Sequence, residues 1–539
     1  MTIAKSAISR RDFFKYAGGS IAVLVVGSKL NWVFKDTVYA AVPVQTLDFH
    51  ITDAIKEMHT HNAVNTAECY LWVFQSVDPD PDGAGSNPSL NLLPECPGPT
   101  IMATKGDTIH IKITNDLPEP HAFSIPGLGL NSVPDVIPSG ECREYDITAT
   151  QCGAFLYYDN LNEPVNRMMG LHGAVIILPT EAERAPGHNL TPYDNPTPNV
   201  QALFDSFGTD VFPGLAWEEG DATPWALNNA FPEHGTVDMP NATPFRHYLW
   251  LLHQASPRLF AEVGDYYDTN GAVYPAQEFM DKFLRGDFVL NNNQNAHSSG
   301  IEAVSYKPQY FTVNGQSGFF AHDSAYVTPM GRVGEPAVVY ILNAGLWLHS
   351  MHLHANHFYV TDVNQAVQEN PIWVDVFNVH PMDRVDYVVP FMRPPDVPNQ
   401  RGIGRPDPAL GTCWPPLQEM NTYIPDIGEE TALRPVYDMH GQVVLDGFGQ
   451  PVIDKEIDLA QRLSPLCYPM HDHSEPSQTS QGGNYNTGLI SGIYFTGDRN
   501  TEGHLDFPME EDFWIMFRNY RGCEIEGTHP AAPPHDDGH

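Results

Sequence analysis

Pro99-Thr100-Ile101-Met102-Ala103-Thr104-Lys105-Gly106-Asp107-Thr108, running on to Ile113-Thr114-Asn115-Asp116-Leu117, reads as a strand, a Gly-acidic turn and a second strand ending in Asn. Phe311-Thr312-Val313-Asn314-Gly315, then Gly334-Glu335-Pro336-Ala337 and Ile341-Leu342-Asn343-Ala344-Gly345, repeats that order later in the chain. Other β-like runs are short and bounded by Gly, Pro, Asn and Asp, and no long segment shows helical periodicity. Such spacing predicts β-sandwiches, one over about 44–180 and a second over about 240–500. Between them, roughly 181–240, lies a Pro/Asn-rich linker, and about 388–465 reads as a long insertion in the second domain. Residues 501–539 are expected to give a last strand and a disordered tail holding His529, His535, Asp536, Asp537 and His539.

The 539 residues hold 66 Asp+Glu against 28 Lys+Arg, a net charge of −38, together with 24 His. So negative a field repels phosphate backbones, which excludes nucleic acid as a partner. With 42% hydrophobic and only 17% charged residues, a disordered acidic chain is excluded as well. Ser9-Arg10-Arg11-Asp12-Phe13-Phe14-Lys15 precedes an apolar run from Tyr16 to Val26 that is too short for a stable membrane span. Paired arginines there resemble a twin-arginine signal, which predicts periplasmic or other export of a folded protein and cleavage after Ala40. Removing its six basic and two acidic residues takes the charge from −38 to −42. Seven cysteines in an exported chain suggest one or more disulfides and a leftover thiol, and Cys142 and Cys152 are close enough to close a loop.

Histidine is concentrated in Leu348-His349-Ser350-Met351-His352-Leu353-His354-Ala355-Asn356-His357-Phe358. Residues two apart share a face of a strand, so His352 and His354 can address one metal, while His349 and His357 sit at the ends. In Cys467-Tyr468-Pro469-Met470-His471-Asp472-His473 the same spacing puts His471 and His473 on one face with Asp472 opposite. Neutral imidazole suits copper, zinc, nickel or iron. Gln478 and Gln481 follow closely, as polar loop residues or as groups that orient the ligands.

On these residues the chain resembles the multicopper oxidases, laccase-like cupredoxin proteins, over most of both predicted domains. Pro97-Gly98-Pro99-Thr100-Ile101 with Lys105-Gly106-Asp107 is similar to the family's first-domain strand pair, and Gly170-Leu171-His172-Gly173-Ala174 to its Gly-Leu-Tyr-Gly-Ala segment. Asn343-Ala344-Gly345 through His354 resembles its His-Pro-x-His-x-His motif. His471-Asp472-His473 resembles its His-Cys-His motif, and Gly488-Leu489-Ile490-Ser491-Gly492 the segment after it. The resemblance implies an all-β fold of two cupredoxin-like Greek-key β-sandwich domains with long loop insertions.

Departures from the family pattern shape the expected chemistry. The four first-domain histidines that complete a trinuclear copper cluster in the family fall on Ser124, Pro126, Tyr158 and Asn160, and its blue-copper thiolate falls on Asp472. The resemblance therefore implies an exported oxidoreductase with a reduced site of one or two copper ions and no type 1 blue copper. Its expected metal ligands are His352, His354, His471 and His473, with His349 as a fifth. Asp472 is the expected catalytic group, handling protons or orienting ligands. Tyr158 and the first-domain His59, His61, His110, His121 and His172 are candidates to complete the site, although a surface or core role is expected of each histidine singly. A small phenolic molecule or a metal ion is the expected redox substrate, and the two-domain form allows either a homotrimer or a monomer. The alternative is a non-catalytic copper- or metal-binding protein, or a structural one, on the same fold.

Overall fold

The computed structural model describes residues 23–26, 42–44, 46–59, 66–79, 91–180, 191–206, 246–286, 306–318, 321, 327, 329–332, 336–354, 356–391, 434–435, 453–454, 466–478, 480 and 488–497. The fold is all-β, with two cupredoxin-like Greek-key sandwiches. In the first, a four-stranded sheet runs in the order Thr66–Val77, Thr46–His59, Thr108–Asn115, Cys142–Thr148. It packs on a five-stranded sheet ordered Val42–Val44, Val23–Val26, Thr100–Thr104, His172–Leu178, Gly153–Tyr158. The second sandwich has a seven-stranded sheet, ordered Gln316–Ser317, Tyr310–Val313, Arg246–Ala255, Ala337–Asn343, Arg384–Val389, Phe358–Val363, Ala366–Val374. Its other sheet is ordered Met330–Arg332, Ile490–Gly497, Leu466–Asp472, His349–Leu353, Val376–Val379.

Side-chain parity explains why some strands alternate and others are apolar throughout. Thr108–Asn115 alternates because one face meets the core and the other meets water. His172–Leu178 and Ala337–Asn343 are buried along their whole length. Ile101, Ala103, Val175 and Ile177 point into the first sandwich beside Phe49 and Tyr157. Their neighbours Met102, Ala174, Ile176 and Leu178 point the opposite way and meet Leu249, Leu251, Val338, Tyr340 and Leu342 of the second domain. Val339 and Ile341 turn inward to Met351, Leu353 and Met470. Each fully buried side chain of this size stabilises by about 1.5–3 kcal/mol, so the shared middle layer fastens the two domains together.

Four sequence expectations need correction or completion. A 14-residue helix, Pro257–Asn270, interrupts the expected run of strands. Pro257 opens its first turn, Gly271 closes it in the left-handed region, and Leu259, Phe260 and Val263 are buried in the core of the first sandwich. Only three apolar positions mark that face, too few to stand out from the surrounding Tyr and Asp. Part of the expected linker is a second helix, Pro198–Ser206, tied to the second domain by Thr197 Oγ1 and Asn199 Nδ2, which donate to the Gln368 and Glu369 carbonyls. Val23–Val26, inside the expected leader, is a strand lying parallel to Thr100–Thr104, and a leader removed after Ala40 would take this strand with it. Finally, Cys142 and Cys152 form no disulfide: Cys142 is exposed, and the Cys152 thiol lies 2.9 Å from Asp194 Oδ1.

Of the expected insertion only 388–391, 434–435 and 453–454 are described. The paired arginines, His61, Gln481 and the tail 501–539 lie outside the described residues. Among the described residues, no helix is long and apolar enough to cross a membrane.

Candidate metal centre

Strand register brings the two histidine motifs together. His349–Leu353 pairs antiparallel with Leu466–Asp472, placing Met351 opposite Asp472, His352 opposite His471 and Leu353 opposite Met470. Directly opposed residues project from the same face of a sheet. His352 and His471 therefore share a face, and the two-residue period adds His354 and His473 to it. Met351, Leu353 and Met470 take the other face and fill the core.

The four rings form a connected cluster, in which ligand atoms of His352, His471 and His473 lie within 4.8 Å of one another and His354 joins through His352 and His471. Centroids of His352 lie 4.8 Å from His354, 5.2 Å from His471 and 4.7 Å from His473. His354 and His471 stand 5.1 Å apart, with their Nε2 atoms 3.0 Å from each other. His352 Nδ1 donates to the Asp375 carbonyl at 2.8 Å, which leaves Nε2 as its lone-pair nitrogen. The Nδ1 of His471 is turned away from the cluster, 3.3 Å from its neighbour's carbonyl at Asp472 and 3.4 Å from the Gln478 amide. Burial, then repulsion from the neighbouring imidazoles, lowers His354 to about 4 and His471 to about 3. His352 is lowered by burial too, partly offset by the Asp375 carbonyl. These rings are therefore neutral near pH 7, the form that ligates metals.

His349 belongs elsewhere, by the same parity. It shares the inward face with Met351, and Asp472, paired directly across from Met351, projects from that same face, so both side chains are fully buried. His349 Nδ1 donates to Asp472 Oδ2 at 2.5 Å. Gln254 Oε1 accepts the Leu346 N–H, which turns the Gln254 amide nitrogen toward His349 Nε2 at 2.6 Å. Gly345 permits this approach, since a Cβ there would lie 2.1 Å from the Gln254 amide nitrogen. With one nitrogen donating and the other accepting, His349 has no lone pair left and stands apart from the cluster. Asp472 Oδ1 accepts the N–H groups of Ser350 and Ser474. Burial alone would raise its carboxyl, but His349 and these N–H donors hold it below the ordinary carboxylate value. Its carboxylate binds none of the four clustered rings; it fixes the turn that carries His473.

The first-domain positions also have definite partners. Ser124 and Tyr158 exchange backbone hydrogen bonds, and the Asn160 amide donates to the Asn131 carbonyl. The Arg167 guanidinium lies 5.9 Å over the Tyr158 ring and donates to the Ala344 and Gly345 carbonyls of the second domain. His59 pairs with Glu57, His110 with Asp146 and buried His121 with Asp159. The exposed ring of His357 stacks on Trp373. His172 falls in a second group, with Cys96 and His253, that sequence spacing did not reveal.

Two sandwiches with histidines on a paired-strand face define a protein of the cupredoxin class. Residues 79–182 and 291–392 each match a family model described as multicopper oxidase. In those two segments the chain is similar to the multicopper oxidase family. It is 28% identical over 130 residues to L-ascorbate oxidase of Cucurbita maxima, a match covering 22% of each chain, so the matched part spans about a fifth of that relative. Among solved structures it is similar to the blue copper oxidase of Nitrosomonas europaea, at 12% identity and a TM-score of 0.43 over 88% of this chain and 86% of that one. The copper nitrite reductase of Nitrosomonas europaea is similar at 14% identity and a TM-score of 0.39, over 84% of this chain and 93% of that one.

Proposed function

We propose that this chain is an exported copper-binding oxidoreductase with a reduced metal site, held by His352, His354, His471 and His473. The observation that carries this reading is the 3.0 Å separation of His354 and His471 Nε2 within the four-ring cluster. Two imidazole nitrogens on one ion, at bonds of about 2.0–2.1 Å and angles near 90–110°, stand about 2.9–3.4 Å apart. Neutral rings with an Nδ1 held by a backbone carbonyl and an Nε2 facing inward, as in His352, are also how ligating histidines are usually fixed. An all-nitrogen donor set without carboxylates favours copper over calcium, magnesium or manganese. Bound there, copper would exchange single electrons with a small phenolic, metal-ion or other redox substrate.

The protein's own contribution is to hold the rings. Antiparallel register sets His352 against His471, and the Asp472 carboxylate anchors the following turn. We assign Asp472 a positioning role, because both its oxygens are occupied away from the cluster. No blue copper forms at His349 in this reading, since that histidine faces a carboxylate and an amide instead of a thiolate. Export rests on Arg10-Arg11 and the apolar run behind them.

Metal analysis of the purified protein tests the proposal, together with turnover of a phenol or of Mn and Fe ions. One or two copper ions at the cluster and turnover lost in His352→Gln are expected. A protein without copper refutes the reading, and copper without turnover would make the chain a store.

A further inference from the structure

Among the described residues, one other group has metal-ligating atoms converging: Cys96, His172 and His253, all buried, with one donor atom from each within 4.8 Å of the others. Cys96 comes from the segment before Thr100–Thr104, and His172 opens the strand His172–Leu178. His253 comes from Arg246–Ala255 in the second domain, so the group spans both sandwiches. The His172 and His253 ring centroids are 4.6 Å apart.

Hydrogen bonds set both tautomers. His172 Nδ1 donates to the Arg167 carbonyl at 3.0 Å, and His253 Nε2 donates to the next carbonyl, that of Met168, at 2.9 Å. Two consecutive carbonyls thus take the ring protons, leaving His172 Nε2 and His253 Nδ1 as lone-pair nitrogens. His172 Nε2 faces the Cys96 sulfur at 3.8 Å. With bonds of about 2.3 Å to sulfur and 2.0–2.1 Å to nitrogen, the two donors on one ion stand about 3.5–3.8 Å apart. Backbone carbonyls that hold the distal N–H are the usual supports of ligating imidazoles.

We propose that Cys96, His172 and His253 form a second, buried metal site that takes a single monovalent copper ion. Charge selects the valence. A cuprous ion with one thiolate and two neutral imidazoles is neutral overall, whereas zinc or cupric ion would leave an uncompensated positive charge in a closed apolar core. The largely buried Arg167 guanidinium beside the group makes a net positive centre still less favourable. Soft thiolate with imidazole is a donor set that cuprous copper accepts. Without metal, burial pushes the Cys96 thiol up to about 12, opposed in part by Lys56, so the sulfur keeps its proton and faces His172 as an S–H donor. On binding, the S–H bond gives way to an S–Cu bond and the proton leaves to solvent, with no change of oxidation state.

This site is independent of the four-histidine cluster, and its test is chosen to separate the two. The variant His352→Gln/His471→Gln is produced in copper-supplemented medium and examined by metal analysis, electron paramagnetic resonance and copper K-edge absorption. One copper per chain is expected, silent in paramagnetic resonance, with one sulfur and two nitrogen neighbours. Adding Cys96→Ser or His253→Gln should take copper to near zero with the circular dichroism unchanged. If either addition fails to fold, the sulfur neighbour in the parent variant still decides, and the same spectrum can be read on the wild-type chain. Absence of copper, a shell without sulfur, zinc in place of copper, or undiminished copper after Cys96→Ser would each overturn the proposal.

Discussion

His349 Nδ1 and Asp472 Oδ2 lie 2.5 Å apart with both side chains shut from solvent, at the place where the family pattern puts a thiolate beside a histidine. The pairing has a direct energetic consequence. Removing the carboxylate leaves the His349 N–H and the Ser350 and Ser474 N–H groups without their acceptor, at about 1–3 kcal/mol for a buried donor left unsatisfied. Asp472→Ala should therefore lower stability by that order in urea unfolding, and a loss below about 1 kcal/mol would show that the pair contributes little.

Acid should weaken the metal-free protein well before its carboxylates titrate. His354 and His172 are lowered to about 4 and His471 to about 3, each chiefly by burial. In the unfolded chain the same groups take up protons near pH 6.5. Between those values the unfolded state binds more protons, so stability is fully present above about pH 6.5 and falls as pH drops toward 4. Asp472, whose folded value is depressed, adds a further loss as pH falls through and below about 3.9. Urea midpoints of metal-free protein should be lower at pH 5 than at pH 7, and equal midpoints would contradict these shifts.

Gly315 is a contact point between the domains. Its φ is +71°, and a Cβ there would lie 1.9 Å from the Cys96 carbonyl oxygen. Gly315→Ala combines a strained backbone with a clash that only backbone movement relieves, each worth about 1–3 kcal/mol. Thermal unfolding should shift down by several degrees; an unchanged midpoint would mean the two segments are not in contact.

Much of this architecture is legible in the sequence because it rests on a two-residue period. His352 and His354, and His471 with His473, declare a shared face before any coordinates are known, and pairing of His352 with His471 merges the two faces. The same period could have removed His349 from the ligand set, because an odd offset from His352 sends it to the core. What spacing cannot carry is long-range convergence. Cys96, His172 and His253 stand 76 and 81 residues apart and meet only through the packing of two domains. Helix Pro257–Asn270 was hidden for another reason, since only Leu259, Phe260 and Val263 mark its buried face, too short an apolar stripe to declare a helical period.

The central claim is that four imidazoles on one sheet face hold cupric copper, and nitrogen-resolved electron paramagnetic resonance of the copper-loaded protein tests it most directly. A cupric signal coupled to imidazole nitrogens is predicted for the wild-type chain, lost in His352→Gln/His471→Gln and unaltered in His110→Gln, whose ring pairs with Asp146 on another surface. A signal that survives the double substitution, or one without nitrogen coupling, would contradict the account.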